Sequence, residues 1–238
     1  MEKCSIRKKK STDWSTEIKE RVFHSFHRVP ITVEELQLKE TTGTHQRVID
    51  MVAHELITKE RIEEWKELPG VAPGVDISRD IVKLAAIERH KNTGHVGLGF
   101  LGKYGLKKGA VATSIGHDSH NLVIAGVTDE DMVLAGNRVI ENGGGLAIAL
   151  EGKVLADLPL PIGGLMADEP VEVVDEKLEH MKKLSVELGI SEDIDAFMTL
   201  AFISLPVIPK LRLNTYGVVD VEKHQVVEAR ILDLLFHI

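Results

Sequence analysis

The chain has 238 residues, 43% of them hydrophobic, with a formal net charge of −8. That is enough for one large or two small domains with a real core, and the negative balance excludes a general polyanion or nucleic-acid binder. One cysteine, Cys4, excludes an intrachain disulfide scaffold and a cysteine-rich zinc site, and suits a reducing, cytoplasmic setting.

Aromatic residues are only 4%, so the core is expected to be built from Val, Ile, Leu and Ala. No apolar run approaches the roughly 20 residues of a membrane span. The basic N-terminus has no apolar segment behind it, so it does not read as a secretory signal.

Residues 1–28 read as a polar N-terminal arm, with a short helix expected over 16–26. Residues 29–76 read as linker-like. Within them 47–53 (RVIDMVA) suggests a strand, and charged 58–68 suggests a short helix or loop. The turn cluster 69–76, with Gly70, Pro73 and Gly74, marks a soft boundary before a domain over 77–238.

That domain opens with a buried strand at 81–88, followed by glycine-rich turns around a short strand at 96–100. Residues 109–115 form a strand that delivers HDSHN at its end, and 122–126 form the next. Thr128 is placed to cap a helix whose first turn carries Asp129, Glu130 and Asp131, where the helix dipole favours acids. Gly143 ends it in the left-handed conformation. Strands at 145–150 and 153–158, joined by Glu151-Gly152, read as a hairpin. After the Pro/Gly-rich loop 159–168, Pro170 opens a second helix with the stripe Val171, Val174, Leu178, Met181, Leu184 and Leu188, closed by Gly189. Residues 196–204 are apolar and fit strand or helix equally. The alternation predicts an α/β fold, a mixed sheet with flanking helices, with α+β the alternative.

The polar run TSIGHDSHN, 113–121, carries the densest chemistry. Imidazole and carboxylate exchange protons near neutral pH or bind a metal. His117, Asp118 and His120 are therefore candidates for proton transfer or substrate contact. Ser119, Asn121, Glu88, Arg89 and His90 are candidate substrate-binding residues. His117 and His120 share a face only if the backbone turns between them. A polar turn at a strand end, and a structural Glu–Arg pair at 88–89, are the plainer alternatives. No residue is assigned as a metal ligand with certainty. The glycines of 94–109 fit neither a P-loop nor a dinucleotide fingerprint. Ser119 lacks the Gly-x-Ser-x-Gly setting of a hydrolase nucleophile.

Glu88-Arg89-His90, Thr93-Gly94, His117-Asp118-Ser119-His120-Asn121, Asn142 through Gly145, Leu158 through Met166 with Asp168, and Leu205 through Pro209 occur in this order. With the runs between them, they closely resemble the C-terminal domain of bacterial and archaeal adenine deaminases over roughly 29–223. The resemblance implies an amidohydrolase-superfamily enzyme that converts adenine and water to hypoxanthine and ammonia at a manganese or iron centre. It also implies that the metal lies on a (β/α)8 barrel preceding this domain. Such a barrel takes about 250 residues, whereas about 28 precede the matching region. The chain is therefore expected to be the C-terminal domain of, or a partner to, a barrel-bearing subunit, and not to deaminate adenine alone. Expected partners are adenine or a related purine, that subunit and a second copy of the chain, with neither nucleic acid nor membrane. The alternatives are a non-catalytic purine-binding or assembly domain, and a stand-alone metal hydrolase using HDSHN.

Overall fold

A computed structural model describes residues 16–39 and 42–231. The first fifteen residues of the expected arm 1–28 lie outside these. Helix α1 (Thr16–Phe23) is shorter than expected and buries no residue. The main sheet has nine strands. They are β1 (His45–Met51), β2 (Thr58–Glu64), β3 (Ile81–Ile87), β4 (Val96–Gly102), β5 (Ala110–Thr113), β6 (Leu122–Gly126), β7 (Gly145–Leu150), β8 (Lys153–Pro159) and, after three strands of a second sheet, β12 (Arg230–Ile231). The main path runs β1-β4-β3-β6-β5-β7-β8. β2 pairs along the whole of β1, leaving the opposite edge of β1 to β4 and β12. Among the described strands only the β1–β4 pair is parallel. The predicted mixed sheet with flanking helices is therefore the observed architecture.

Helix α2 (Asp129–Glu141) begins as its sequence dictates: Thr128 Oγ1 accepts from Asp131 N–H, and Gly143 follows with φ 69°. Its Met132, Ala135 and Val139 pack with Ala85, Ile87, Ala112 and Ile124 on one sheet face. The strap of residues 28–38 closes the same face, burying Ile31 and Leu36. Asn137 fastens it by accepting from Ile31 N–H (2.8 Å) and donating back to Ile31 O (3.0 Å).

The opposite face carries the larger core, with Val82, Leu84 and Ala86 of β3 pointing into it. It is covered by α3 (Val171–Glu187), α4 (Ala196–Ile203) and a small antiparallel sheet. That sheet comprises β9 (Leu211–Asn214), β10 (Gly217–Asp220) and β11 (Gln225–Val227). Period-two alternation along β3 thus assigns one residue set to each layer. The ambiguous run 196–204 resolves as helix because Asp195 caps it, accepting from Phe197 N–H (3.0 Å) and Met198 N–H (2.9 Å).

Residues 58–68 require a correction. They supply strand β2, not a helix, because their charges have cross-strand partners. Arg61 Nε bonds both Asp50 oxygens at 2.9 Å, and Arg47 pairs with Glu60. A charged strand at a sheet edge also blocks further strand addition. The linker-like stretch 29–76 accordingly contributes β1, β2 and the closing strap to this fold.

Antiparallel pairing of β3 and β5 with β6 places the end of β3, the end of β5 and the start of β6 together. The loops around residues 88–95, 114–121, 142–144 and 160–166 converge at this one end of the sheet.

Candidate functional site: the His117–His120 turn

Two residues beyond β5 the chain folds into a compact turn. His120 N–H donates to Gly116 O (2.9 Å) and Ser119 N–H to His117 O (2.8 Å). Asp118 and His120 adopt left-handed φ angles of 62° and 45°. Asp and His visit this region more readily than branched residues. The turn is thus neither an extended strand nor a helix, and the two histidines take different neighbours. The His117 ring lies 4.2 Å from Phe202 of α4, centroid to centroid, and the His117 backbone N–H donates to Ala201 O (3.1 Å). His120 faces Arg89, and its Nδ1 is buried with no partner among the described residues. Asn121 Oδ1 is also buried without a partner. Asp118 is exposed, while Ser119 and Asn121 are half-buried.

Glu88, Arg89 and His90 meet this turn from the end of β3, but Glu88 and Arg89 form no pair. Glu88 instead caps its own loop. Its Oε1 accepts from His90 and Lys91 N–H (2.6 and 2.8 Å), and Oε2 accepts from Thr93 N–H and hydroxyl (2.9 and 3.0 Å). Burial alone raises this carboxyl, but the donated hydrogen bonds outweigh it and bring it down to about 2. A carboxyl depressed on folding contributes stability above its unfolded value, near 4.5, and loses it as the pH falls through about 2. Glu88→Gln is expected to flatten the acid limb of stability between those values. Urea midpoints measured across that range check this, and an unchanged acid limb would refute it.

Arg89 is 2% exposed. Its Nε donates to His120 O, Nη2 to Gly163 O (3.1 Å) and Nη1 to Ser25 O (3.5 Å), and Phe26 stacks 5.0 Å from its guanidinium carbon. Burial lowers it to about 10, against the opposing pull of Glu88. His90 is exposed, yet its Nε2 contacts Ser119 O at 2.7 Å. The loop 160–166 completes the base: buried Ser114 donates to Gly164 O (2.6 Å) and accepts from Gly145 N–H (2.7 Å). Gly164 has φ +74°, and a Cβ there would lie 2.7 Å from the Arg89 guanidinium. Only glycine meets both conditions.

His90, His117 and His120 are therefore neighbours, but they form no ligand set. Among the described residues no group of three or more His, Cys, Asp or Glu side chains is placed to hold a metal ion. The residues present do not fit the manganese or iron centre implied for the intact enzyme, and a stand-alone metal hydrolase gains no support from this turn. Sequence reasoning missed Ser114 and Phe202. Ser114 adjoins the HDSHN run and was detectable as a polar residue ending an apolar strand. Phe202 carried no local signal, being remote in the chain and one of several apolar residues in α4.

Residues 55–225 match the adenine deaminase C-terminal domain family. The chain is 48% identical over 181 residues to adenine deaminase 2 of Carboxydothermus hydrogenoformans, covering 76% of this chain and 32% of that protein. It is 49% identical over 179 residues to the adenine deaminase of Kosmotoga olearia, covering 75% and 31%. With the adenine deaminase of Lysinibacillus sphaericus the identity is 40% over 208 residues, covering 87% and 36%. The chain belongs to the adenine deaminase C-terminal domain family. It spans about a third of the length of these relatives. Among the described residues no helix is long and apolar enough to cross a membrane.

Proposed function

We propose that this chain acts as the C-terminal part of an adenine deaminase, in which adenine and water give hypoxanthine and ammonia. The manganese- or iron-dependent activation of water belongs to a barrel that the chain does not span. The chain supplies the face that closes over that barrel's active site. The observation that carries this reading is the His117–His120 turn. It is fastened from inside by Arg89 and at the surface by His90, while exposed Asp118 and half-buried His117 lie at the end of the sheet.

Two further features support the reading. Beside His117, Phe202 helps line an apolar hollow of about 200 Å³ with Met51, Leu56 and Met198. Leu56 and Met198 are 52% and 42% exposed, and Met166 of the neighbouring loop 60%. Exposed apolar groups rimmed by polar ones mark association surfaces. In this arrangement His117 and His120 serve proton transfer or substrate contact, and Ser119 and Asn121 border the purine.

The test is ammonia release from adenine by the purified chain with added manganese. No turnover is expected. Turnover that His117→Ala abolishes would give the chain its own catalytic centre and overturn the reading.

A further inference from the structure

Arg89 is an interior cation whose bonds run to backbone carbonyls. They come from three separate segments: Ser25 of the N-terminal segment, His120 of the turn and Gly163 of the 160–166 loop. A planar fork with fixed donor directions suits this task, and an ammonium on a flexible stem does not. The glycine at 164 leaves room for the fork, and Phe26 covers it. The His120 carbonyl it grips belongs to a residue in the left-handed conformation. Among the described residues that residue's Nδ1 is buried without a partner, as is the Oγ of Ser25, whose carbonyl Arg89 also grips.

We infer that Arg89 is the positioning residue of the turn: it locks three segments together and thereby sets how His120 is presented. This rests on the reading of the turn as the functional face. Two consequences are separable. The first is mechanical: without the fork, the left-handed backbone at His120 loses its main tether from the interior. The second is electrostatic. Burial lowers the His120 imidazole, and Arg89, then His90 and His117, lower it further, while Asp118 pulls the other way. The balance favours the uncharged imidazole, the state that accepts a proton.

The experiment uses the chain alone, with no partner and no turnover. Its failure would leave the deaminase reading standing, and a failed deaminase reading would leave the measured tether but remove its functional meaning. Histidine ring resonances are followed against pH by NMR, with His120 assigned from His120→Gln, while amide exchange at His120 reports on the turn. In the parent chain His120 titrates below the ordinary 6.5. In Arg89→Met its midpoint rises, and its amide, bonded to Gly116 O, exchanges faster by about tenfold or more. Arg89→Lys keeps the charge and loses the fork, so the midpoint stays low while exchange quickens. An Arg89→Met chain that melts earlier, yet keeps both the His120 midpoint and its exchange rate, would make Arg89 a packing residue and overturn the inference. If Arg89→Met does not fold, Arg89→Lys decides: faster exchange upholds the inference and unchanged exchange refutes it.

Discussion

Lys83→Met is expected to destabilise the fold by about 3 to 5 kcal/mol, the cost of removing one partner from a buried ion pair. Lys83 Nζ lies 2.7 Å from Asp129 Oδ1, with side-chain exposures of 1% and 6%. Lys83 projects from β3 toward α2, and Asp129 opens that helix. Burial lowers the Lys83 ammonium, opposed by Asp129 through both charge and hydrogen bond. Without the lysine, Asp129 keeps only the Gln37 amide (2.8 Å) and the helix N-terminus. Those remaining partners place the loss toward the lower end of the range. The pair also joins three parts of one layer, since Gln37 belongs to the strap that buries Leu36. Urea unfolding of Lys83→Met checks the figure. Lys83→Met combined with Asp129→Leu is expected to recover much of the loss, because apolar replacements of a buried pair often come out near neutral. A single variant within 1 kcal/mol of the parent would contradict the account.

The second large effect concerns the turn in a working enzyme. Grafting residues 16–231, which carry the strap, β1 and β12 as well as the turn, in place of the matching part of the Kosmotoga olearia adenine deaminase gives the setting in which the proposed function has His117 and His120 meet substrate. A positioned general acid or base contributes about 10²- to 10⁴-fold. His120→Gln is accordingly expected to lower kcat about 10²-fold or more, with a smaller change in KM. His117 leans on Phe202, so His117→Ala is expected to affect kcat and KM together. Comparison with Asp118→Asn, an exposed residue, separates charge from shape. Equal kcat in His120→Gln and the parent graft would remove the histidine from the chemistry.

Legibility in the sequence followed the range of the determining forces. Helix α2 was readable because Thr128, its acidic first turn and Gly143 are local instructions, and all three are used. The β7–β8 hairpin was readable for the same reason: Glu151 and Gly152 take φ 50° and 74°, as the turn requires. Strand β2 was misread because its charges find most of their partners away from the strand itself: Asp50 and Arg47 on β1, and Arg79 and Lys210 beyond it. The small sheet β9–β10–β11 was not foreseen. Its strands are three or four residues long, too short to establish a period. The gathering of polar groups after β5 was legible in HDSHN, but the bonds that hold them were not. Arg89 binds carbonyls of Ser25 and Gly163, and a carbonyl acceptor leaves no mark on residue type. The alternative of a structural Glu88–Arg89 pair gave way because each group found closer or better-matched partners, Glu88 in its own loop and Arg89 in distant backbone.

The graft itself tests the central claim most directly. Its ammonia release from adenine is compared with that of the parent Kosmotoga olearia enzyme and of the same enzyme lacking its C-terminal third. The account predicts activity within about tenfold of the parent for the graft, a change of about 1.4 kcal/mol in the barrier, and loss of activity in the truncated enzyme. A graft that folds and holds its metal but does not deaminate adenine would contradict it, as would a truncated enzyme that works as well as the parent.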